Sequence, residues 1–532
     1  NYLSNSSNPG LADKNTWATK SEVILPNGNK KRYYTNKAGG TVLTAFEDVA
    51  NNRKTYRSIS RNADGRMTQK ATSAAISSVS EPSTGSGSLT VNLNSGSGLI
   101  YNYEYASSTN PATGAVKGYP TNKLIKQGSS GTPQKASKIT WATQPRGDVA
   151  IHKPAAKLTY TDSQDDADAS TYQYVYTYYQ DALGNPTFQV KQKITTLPVI
   201  PTGQNGTGLP YTITELFDEY GRRTWRKDER GYISRWQYVL ETGALLRSVA
   251  DVDTTVEADV PAGWTTPAGG GLNLVSDYTS DGKGRIVMAL GPSREAVLKE
   301  SDTTPTVLRT ASFTLYQDAV HETWRASGYA TGEASNYGYE TVGAVSLEKR
   351  DASGRVLDRI GAKRGCGCGP LQPTETFPQE RWTSWTKSFY DDWGRETKRR
   401  VYHDIPASGE GFKDLNYAET RMGYDEVGRL IRKKSPGGTI VRSVFNGEGR
   451  LASIWNGTDD AGASESDPTG GGATGNNMVK ILSYVYDNGT AGGNGLLTRR
   501  TEHVDGNSAN DRVSDYEYDY RGWLVLTTVN DG

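Results

Sequence analysis

A short turn motif recurs along the chain, and this recurrence constrains the fold more than any other feature. The motif reads aromatic residue, Asp or Asn, two variable residues, Gly and Arg. Two copies follow one another closely, with Gly428 and Gly449 in equivalent places 21 residues apart. A short strand-like run follows each copy, and Pro436-Gly437-Gly438 supplies a further turn between them. The repeated unit is therefore predicted to be a β-hairpin.

The chemistry of the motif explains why these residue types recur. The Asp or Asn side chain can accept a hydrogen bond from the backbone two residues on, and glycine can adopt the positive φ that closes a tight turn. The arginine then begins the outgoing strand. Repetition at this level is the signature of a repeat architecture. The predicted turn residues are Asp218, Gly221, Arg222, Asp281, Gly284, Arg285, Asp351, Gly354, Arg355, Asp391, Gly394, Arg395, Asp425, Gly428, Arg429, Asn446, Gly449 and Arg450.

These motifs resemble the YD repeats of the RHS family. That family includes the shells of bacterial polymorphic toxins, the cocoon subunits of insecticidal toxin complexes and the teneurin barrel. The resemblance runs from Thr171 to the end of the chain. It implies a long β-sheet that spirals into a shell or barrel, often enclosing a C-terminal toxin or effector of the same polypeptide. The residue pattern by itself predicts only a repetitive, antiparallel all-β fold.

Composition agrees with a half-solvated sheet. The 532 residues include 32 Tyr and 11 Trp but only 8 Phe, and 59 Gly and 22 Pro make turns frequent. Tyrosine suits such a sheet because its ring packs across strands while its hydroxyl reaches water. The net charge of +1 gives no indication of a nucleic-acid partner. The sequence contains no run of 18 apolar residues, so no membrane span is predicted in this segment.

The chain divides into two regions by repeat content. Residues 1–170 form a β-rich N-terminal region with degenerate repeats and loops, and residues 171–532 form the repeat array. The chain begins without methionine or signal peptide and stops just after a repeat-like strand, so we expect a mature or partial piece of a longer protein. The array is expected to be cut short at its end or to continue beyond it.

Several segments carry more specific expectations. The stretch 106–138 is predicted to be a long loop, and residues 293–299 and 379–386 are the best candidates for short helices. Insertions between repeats, at 197–210, 251–271, 405–415 and 458–477, are expected to form loops on one face of the array.

The two cysteines, Cys366 and Cys368, lie in one Gly-rich turn. A strained small-ring disulfide, a soft-metal site with partners from elsewhere and a purely structural turn all remain open. The acidic segment 162–168 could hold Ca²⁺, but it lacks the glycine and distal glutamate of an EF-hand loop, so a solvated loop is favoured. No cofactor is predicted.

No catalytic constellation is evident. The four histidines, His152, His321, His403 and His503, are scattered and follow no metal-ligand spacing or nucleophile motif. Asp467-Pro468-Thr469-Gly470 has the letters of an RHS cleavage segment, but repeats follow it. The autoprotease of the family is therefore expected beyond residue 532 or not at all. The sequence predicts a protein that is not an enzyme.

Two functions remain open. The first is a structural segment of a secreted or cell-surface RHS protein that encloses or displays an effector. The alternative is an extracellular adhesion or filament-forming protein that self-assembles and binds glycans or surface proteins through its inserted loops. Trp382, Trp385 and Trp393 suggest glycan binding, although cross-strand packing is the favoured explanation for them. Potential glycosylation sites occur at Asn5, Asn205, Asn456 and Asn488.

Overall fold

The computed structural model describes residues 2–4, 13–82, 88–161, 163–298, 300, 303–333, 336–365, 369–489 and 493–530. In these residues the chain is built from β-strands joined by turns, which confirms the predicted all-β fold of repetitive antiparallel hairpins. The helical elements described are 3₁₀ turns of three residues each, at Ser73–Ala75, Thr202–Gln204, Asp318–Val320, Gln379–Arg381, Asp487–Gly489 and Ser508–Asn510. Among the described segments, no helix has the length and hydropathy needed to cross a membrane.

The strands follow one another closely along the chain. The first twelve are β1 Tyr2–Ser4, β2 Thr19–Ile24, β3 Lys30–Thr35, β4 Thr41–Asp48, β5 Arg53–Arg61, β6 Met67–Ala71, β7 Ile76–Ser80, β8 Thr90–Leu93, β9 Leu99–Tyr105, β10 Pro120–Gln127, β11 Gln134–Arg146 and β12 Val149–Thr159. The next fourteen are β13 Ser170–Gln180, β14 Pro186–Thr196, β15 Thr212–Phe217, β16 Arg223–Lys227, β17 Ile233–Tyr238, β18 Leu245–Ala250, β19 Leu274–Ser280, β20 Ile286–Ala296, β21 Thr306–Gln317, β22 Glu322–Thr331, β23 Gly338–Arg350, β24 Val356–Ala362, β25 Trp382–Tyr390 and β26 Glu396–Tyr402. The last eight are β27 Tyr417–Tyr424, β28 Leu430–Lys434, β29 Ile440–Phe445, β30 Leu451–Gly457, β31 Val479–Tyr486, β32 Leu497–Glu502, β33 Arg512–Tyr518 and β34 Leu524–Asn530.

Pairing is antiparallel and mostly between sequence neighbours, as in a meander. The register shifts by a bulge where a strand enters a repeat turn, for example between Leu216 and Phe217 in β15 and between Phe389 and Tyr390 in β25. A bulge increases the local twist and re-aims the side chains beside it. The bulges therefore place the aromatic residue of each motif in a defined orientation at the end of its strand.

The chain forms two compact units. Unit 1 comprises Asn1–Ala142, Lys157–Ser170 and Arg421–Gly532, and unit 2 comprises Thr143–Ala156 and Thr171–Thr420. These units describe grouping in space. The predicted division of the chain at residues 170 and 171 concerns repeat content, which the units do not test, and it stays a prediction.

Unit 1 is held together by an apolar cluster and by a buried charge network. Trp17, Tyr34, Val42 and Leu43 form the apolar cluster, with the Trp17 ring edge-on to Tyr34 at 5.8 Å. On the same strand as Tyr34, the side chain of Arg32 is only 10% exposed and pairs with carboxylates from three separate segments, Glu22, Glu47 and Glu81. Burying this cation is tolerated because each side of the guanidinium has a partner.

The same unit joins the first strands of the chain to its last repeats. The side-chain amide of Asn29 donates to the carbonyl of Gly447 at 2.5 Å, and the backbone N–H of Ala74 donates to the side-chain oxygen of Asn494 at 3.1 Å. Arg53 donates to the carbonyl of Gly489 at 3.0 Å. Sequence-distant segments thus meet through polar contacts within unit 1.

Unit 2 contains the larger core. Its main cluster runs across β20 to β27, with Phe313, Ile360 and Val345 almost completely buried. A second cluster combines Trp225 and Ile233 of the sheet with residues of the insertion 251–271. That insertion is therefore folded onto the sheet rather than held away from it.

Three local predictions are wrong. The stretch 106–138 is not one long loop, because β10 and the first part of β11 lie within it. Residues 293–296 complete β20, where Ser293 pairs with Arg309, and Lys299 lies outside the described residues. Only Gln379–Arg381 of the second helix candidate is helical before β25 begins. In each case cross-strand pairing overrides a weak local preference.

Candidate functional site

The repeat turns, here called corners, share one hydrogen-bonded geometry, which the corner from Asp218 to Arg222 illustrates. Oδ1 of Asp218 accepts from the backbone N–H of Tyr220 at 3.0 Å and of Arg222 at 2.8 Å. Its Oδ2 accepts from Nε of Arg222 at 2.7 Å. Gly221 donates its N–H to the Asp218 carbonyl at a φ of +83°, where a side chain would be strained. One carboxylate thus fixes the turn and the direction of the arginine.

The structure places the other motif residues in the same arrangement. The glycines have φ between +78° and +89°, and the acids accept from both the backbone and the side chain of the arginine; these corners are Asp281-Gly284-Arg285, Asp351-Gly354-Arg355, Asp391-Gly394-Arg395 and Asp425-Gly428-Arg429. In the Asn446-Gly449-Arg450 corner, Asn446 accepts from the backbone N–H of Arg450, whose guanidinium turns to Glu448 and Asp487. The backbone N–H of Arg285, followed by its guanidinium, lowers the pKa of Asp281.

Three of these arginines also stack on a ring of the following repeat. The guanidinium of Arg355 lies over the ring of Tyr390 at 5.3 Å, that of Arg429 lies over Phe445 at 4.4 Å, and that of Arg450 lies over Tyr486 at 5.4 Å. In all three cases the ring belongs to the residue immediately before the acid or amide of the next corner. The motif's aromatic residue is therefore the surface on which the preceding arginine stacks. We call this stacking the inter-repeat contact.

Where the aromatic residue is tyrosine, its hydroxyl adds a directional bond. It donates to the carbonyl of the residue that follows the arginine, as three pairs show: Tyr390 to Val356 at 2.9 Å, Tyr486 to Leu451 at 3.0 Å and Tyr238 to Arg223 at 3.0 Å. The degenerate N-terminal repeat follows the same rule, with Arg66 over Tyr105 and the hydroxyl on Met67. The local chemistry of the turn explains neither the aromatic position nor its preference for tyrosine, because both depend on the preceding repeat.

A further possible contact of the corner arginines is a ladder with acids of adjacent repeats. Arg285 does so, donating to Asp318 at 2.8 Å, and Arg450 approaches Asp487 at 3.3 Å. Arg355 instead reaches the backbone carbonyl of Asp391 at 3.2 Å. Arg355 and Arg429 are thus bound by the acid of their own corner and by the next ring, whereas Arg285 and Arg450 add a pairing with an acid of the adjacent repeat.

A cavity of about 480 Å³ is the candidate binding site of unit 2. The insertion 251–271 covers one side of it with Pro261, Ala262 and Trp264, and strands β13 to β15 supply the other side. Trp264 packs edge-on against Trp225 at 6.4 Å, which holds the insertion in place. The remaining walls are hydroxyl, amide, ammonium and apolar groups, from Thr177, Tyr178, Tyr179, Gln180, Lys191, Gln192 and Leu216.

The cysteines and the acidic segment were the other candidate sites in the sequence. Cys366 and Cys368 lie outside the described residues. In the acidic segment, the carboxylate of Asp166 accepts hydrogen bonds from the ammonium groups of Lys138 and Lys135 and from the hydroxyl of Tyr160. These donors, Lys138 first, lower the pKa of the Asp166 carboxyl. Within the described part of the chain, no group of three or more His, Cys, Asp or Glu residues is placed to hold a metal ion.

The three tryptophans differ in their surroundings. Trp385 stacks on Tyr402 of the adjoining strand at 3.8 Å, which is cross-strand packing, and meets Trp382 of its own strand edge-on at 5.0 Å. Trp393 is 82% exposed in its corner and lies against Arg395. The cluster read from sequence is therefore not a single aromatic surface.

One side-chain cluster has no signature in the sequence. His503 lies between Ser483 and Asp511, with 3.0 Å from its Nε2 to the serine Oγ and 2.8 Å from its Nδ1 to Oδ2 of the aspartate. The three residues belong to adjoining strands or their ends, 20 and 8 residues apart along the chain. No local motif could reveal them, because only strand register brings them together.

Comparison with known proteins gives the following results. No family model matches the chain, and no curated protein matches it. Among solved structures, it is similar to the TcdB2-TccC3 complex without its hypervariable C-terminal region, with 13% identity and a TM-score of 0.36 over 96% of this chain and 23% of that one. It is also similar to the Photorhabdus luminescens Tc holotoxin pore, with 14% identity and a TM-score of 0.30 over 94% and 24%. The chain thus spans about a quarter of the length of these two structures.

Proposed function

We propose that this chain is a structural segment of a secreted or cell-surface RHS/YD-repeat protein. Its strands form part of a wall that encloses or displays an effector of the same polypeptide. The observation that supports this role is the inter-repeat contact, in which arginines such as Arg355 and Arg429 bond the acid of their own turn and stack on the aromatic residue of the next. Such contacts couple neighbours along an array, so that stability accumulates with the number of repeats.

The corner carboxylates also support a structural role for the repeat corners. A general acid or base needs a titratable group that can reach a substrate. In the Asp218, Asp281, Asp351, Asp391 and Asp425 corners, both oxygens of the carboxylate accept hydrogen bonds from the same turn. We propose that these groups define geometry, and that any effector activity resides elsewhere in the polypeptide.

Electron microscopy of the intact protein from its native source tests this proposal. A hollow particle whose wall contains these repeats and whose interior holds additional density would support enclosure. A wall that carries a further domain on its outer surface would support display. A filament made of many copies, or a solid rod without a further domain, would contradict both.

The cavity beneath Trp264 favours a second function, binding of glycans or surface proteins through inserted loops. Aromatic rings beside amide and hydroxyl groups can stack on a sugar and hydrogen-bond its hydroxyls. Binding of the Trp264→Ala variant to a glycan array should then be lost. Trp393→Ala, which removes an exposed tryptophan outside the cavity, is the matched control and should bind normally. Absence of any glycan signal from the unaltered chain would remove this candidate.

A further inference from the structure

We infer that Ser483 is a nucleophilic serine, activated by His503 and Asp511, that accepts an acyl group from a carboxylic ester. The inference rests on the geometry of these three residues in unit 1 and does not depend on the proposed function. The hydrogen bonds run in the order that nucleophilic catalysis by serine requires: hydroxyl to imidazole, and imidazole to carboxylate.

Strand register explains how the three side chains meet. Ser483 of β31 pairs with Thr501 of β32, and Thr501 pairs with Val513 of β33. Side chains two residues apart on a strand point to the same face of a sheet. His503 lies two residues after Thr501 and Asp511 two residues before Val513, so all three fall on one face. The backbone N–H of His503 donates to the carbonyl of Ile481, which fixes the end of β32 against β31.

The hydrogen bonds also define the protonation pattern of the histidine. An ionised carboxylate only accepts, so the Nδ1 atom 2.8 Å from Asp511 carries the proton. Nε2 is then the lone-pair nitrogen, and it accepts the hydroxyl proton of Ser483 at 3.0 Å. This tautomer is the one in which imidazole acts as a general base toward the serine.

The carboxylate of Asp511 is largely buried against the imidazole of His503. Its side chain is 10% exposed, and among the described residues its Oδ1 is buried without a hydrogen-bond partner. The bond from Nδ1 of His503 is therefore the hydrogen bond that this carboxylate accepts among the described residues, and it holds the imidazole beside Ser483. The His503 side chain is itself 23% exposed, so a small ester can approach it from solvent.

A neighbouring hydroxyl lies on the same face. Ser453 of β30 pairs directly with Ser483, and its Oγ accepts the indole N–H of Trp455 at 2.8 Å. This bond leaves the hydroxyl proton of Ser453 available for donation. Directly paired residues have Cβ atoms about 5 Å apart, so this proton can stabilise an oxyanion forming next to Ser483.

The chemical step balances with an ester and water as the reactants. Oγ of Ser483 forms a bond to the ester carbonyl carbon while its proton passes to Nε2 of His503. The bond from that carbon to the alkoxy oxygen then breaks, and the leaving alcohol takes the proton from the imidazolium. Water, deprotonated by His503, next attacks the acyl-serine, which releases the carboxylic acid and restores the serine hydroxyl.

A fluorophosphonate probe, followed by mass spectrometry of the intact chain and its peptides, tests the inference. The probe should modify Ser483, and the unaltered chain should hydrolyse p-nitrophenyl acetate. His503→Gln keeps a polar side chain beside the serine but removes the base, so labelling should slow by about 100-fold or more. Ser483→Ala should abolish the adduct, and Asp511→Asn should slow its formation while circular dichroism shows an unchanged fold.

Ser514 provides the matched control, because it is a half-buried serine on the adjoining strand β33. Ser514→Ala should leave labelling and ester hydrolysis unchanged. The inference is overturned if Ser483 in the unaltered chain reacts no faster than Ser514. It is also overturned if folded His503→Gln protein is labelled at the unaltered rate, since the three residues then only tie strands together.

Discussion

The inter-repeat contacts Arg355–Tyr390 and Arg429–Phe445 differ by one hydroxyl group and by the burial of the acid behind the arginine. Tyr390 adds a hydrogen bond to the carbonyl of Val356, which phenylalanine cannot make. The Asp425 side chain behind Arg429 is 1% exposed, whereas that of Asp351 behind Arg355 is 19% exposed. Stacking of arginine on an aromatic ring is common to both. The stacking is thus the shared contact, whereas the tyrosine hydroxyl and the burial of the acid differ between these two corners.

The largest expected effect distinguishes the two arginines by their acids. Arg429→Met removes the guanidinium that pairs with the buried carboxylate of Asp425. The loss should destabilise the native state more than the locally unfolded state, in which water solvates the carboxylate, and should cost about 3 kcal/mol of local stability. Arg355→Met should cost clearly less, because water reaches Asp351. Hydrogen exchange of the amides in the strands beside each corner measures both losses. Equal losses would show that acid burial does not set the strength of a corner.

Removal of the tyrosine hydroxyl has a smaller expected effect. Tyr390→Phe keeps the ring over Arg355 and loses the bond to the Val356 carbonyl, so local stability of β24 and β25 should fall by about 1 kcal/mol. Chemical denaturation followed by hydrogen exchange of these two strands reports the change. An unchanged exchange rate would mean that water replaces the hydroxyl without loss, and tyrosine would then owe its place to its ring alone.

The reverse substitution should have the opposite sign. Phe445→Tyr presents a hydroxyl to the carbonyl of Leu430, the residue that follows Arg429, as Tyr390 and Tyr486 do at the corresponding positions. We expect slower exchange in β28 and β29, by up to about 1 kcal/mol of added stability. Faster exchange would indicate that the hydroxyl does not fit at this corner, and the rule would then hold only for some repeats.

The smallest expected effect concerns acid. The pKa of Asp281 is lowered from its ordinary value of 3.8, first by the backbone N–H of Arg285. A lowered folded-state pKa contributes stability that is present above this ordinary value and is lost as the pH falls below it. Asp281→Asn, which copies the amide of the Asn446 corner, should therefore flatten the dependence of β19 and β20 exchange on pH below the ordinary value of 3.8. Asn446→Asp should introduce such a dependence at its own corner.

The sequence predicted the parts of the fold that local chemistry determines. An acid that bonds the backbone of its own turn and a glycine at positive φ act within five residues, so the repeated corners could be read directly. The ring partner of Arg355 lies 35 residues away, at Tyr390, and no spacing rule identifies it. Ser483, His503 and Asp511 are likewise joined only by strand register. The folded insertion over Trp225 depends on long-range apolar packing, which a loop-like composition conceals.

The inter-repeat contact also bears on how such a chain can change over evolutionary time. Arg429 and Phe445 are 16 residues apart, but Arg450 and Tyr486 are 36 apart, and the insertion 458–477 lies between them. The same two side chains thus close segments of very different length. Because the entropic cost of closing a segment grows only slowly with its length, new segments can enter between an arginine and its ring while the sheet beneath keeps its register. Insertions are therefore tolerated between an arginine and its ring, and the strands on either side can keep their sequence and pairing.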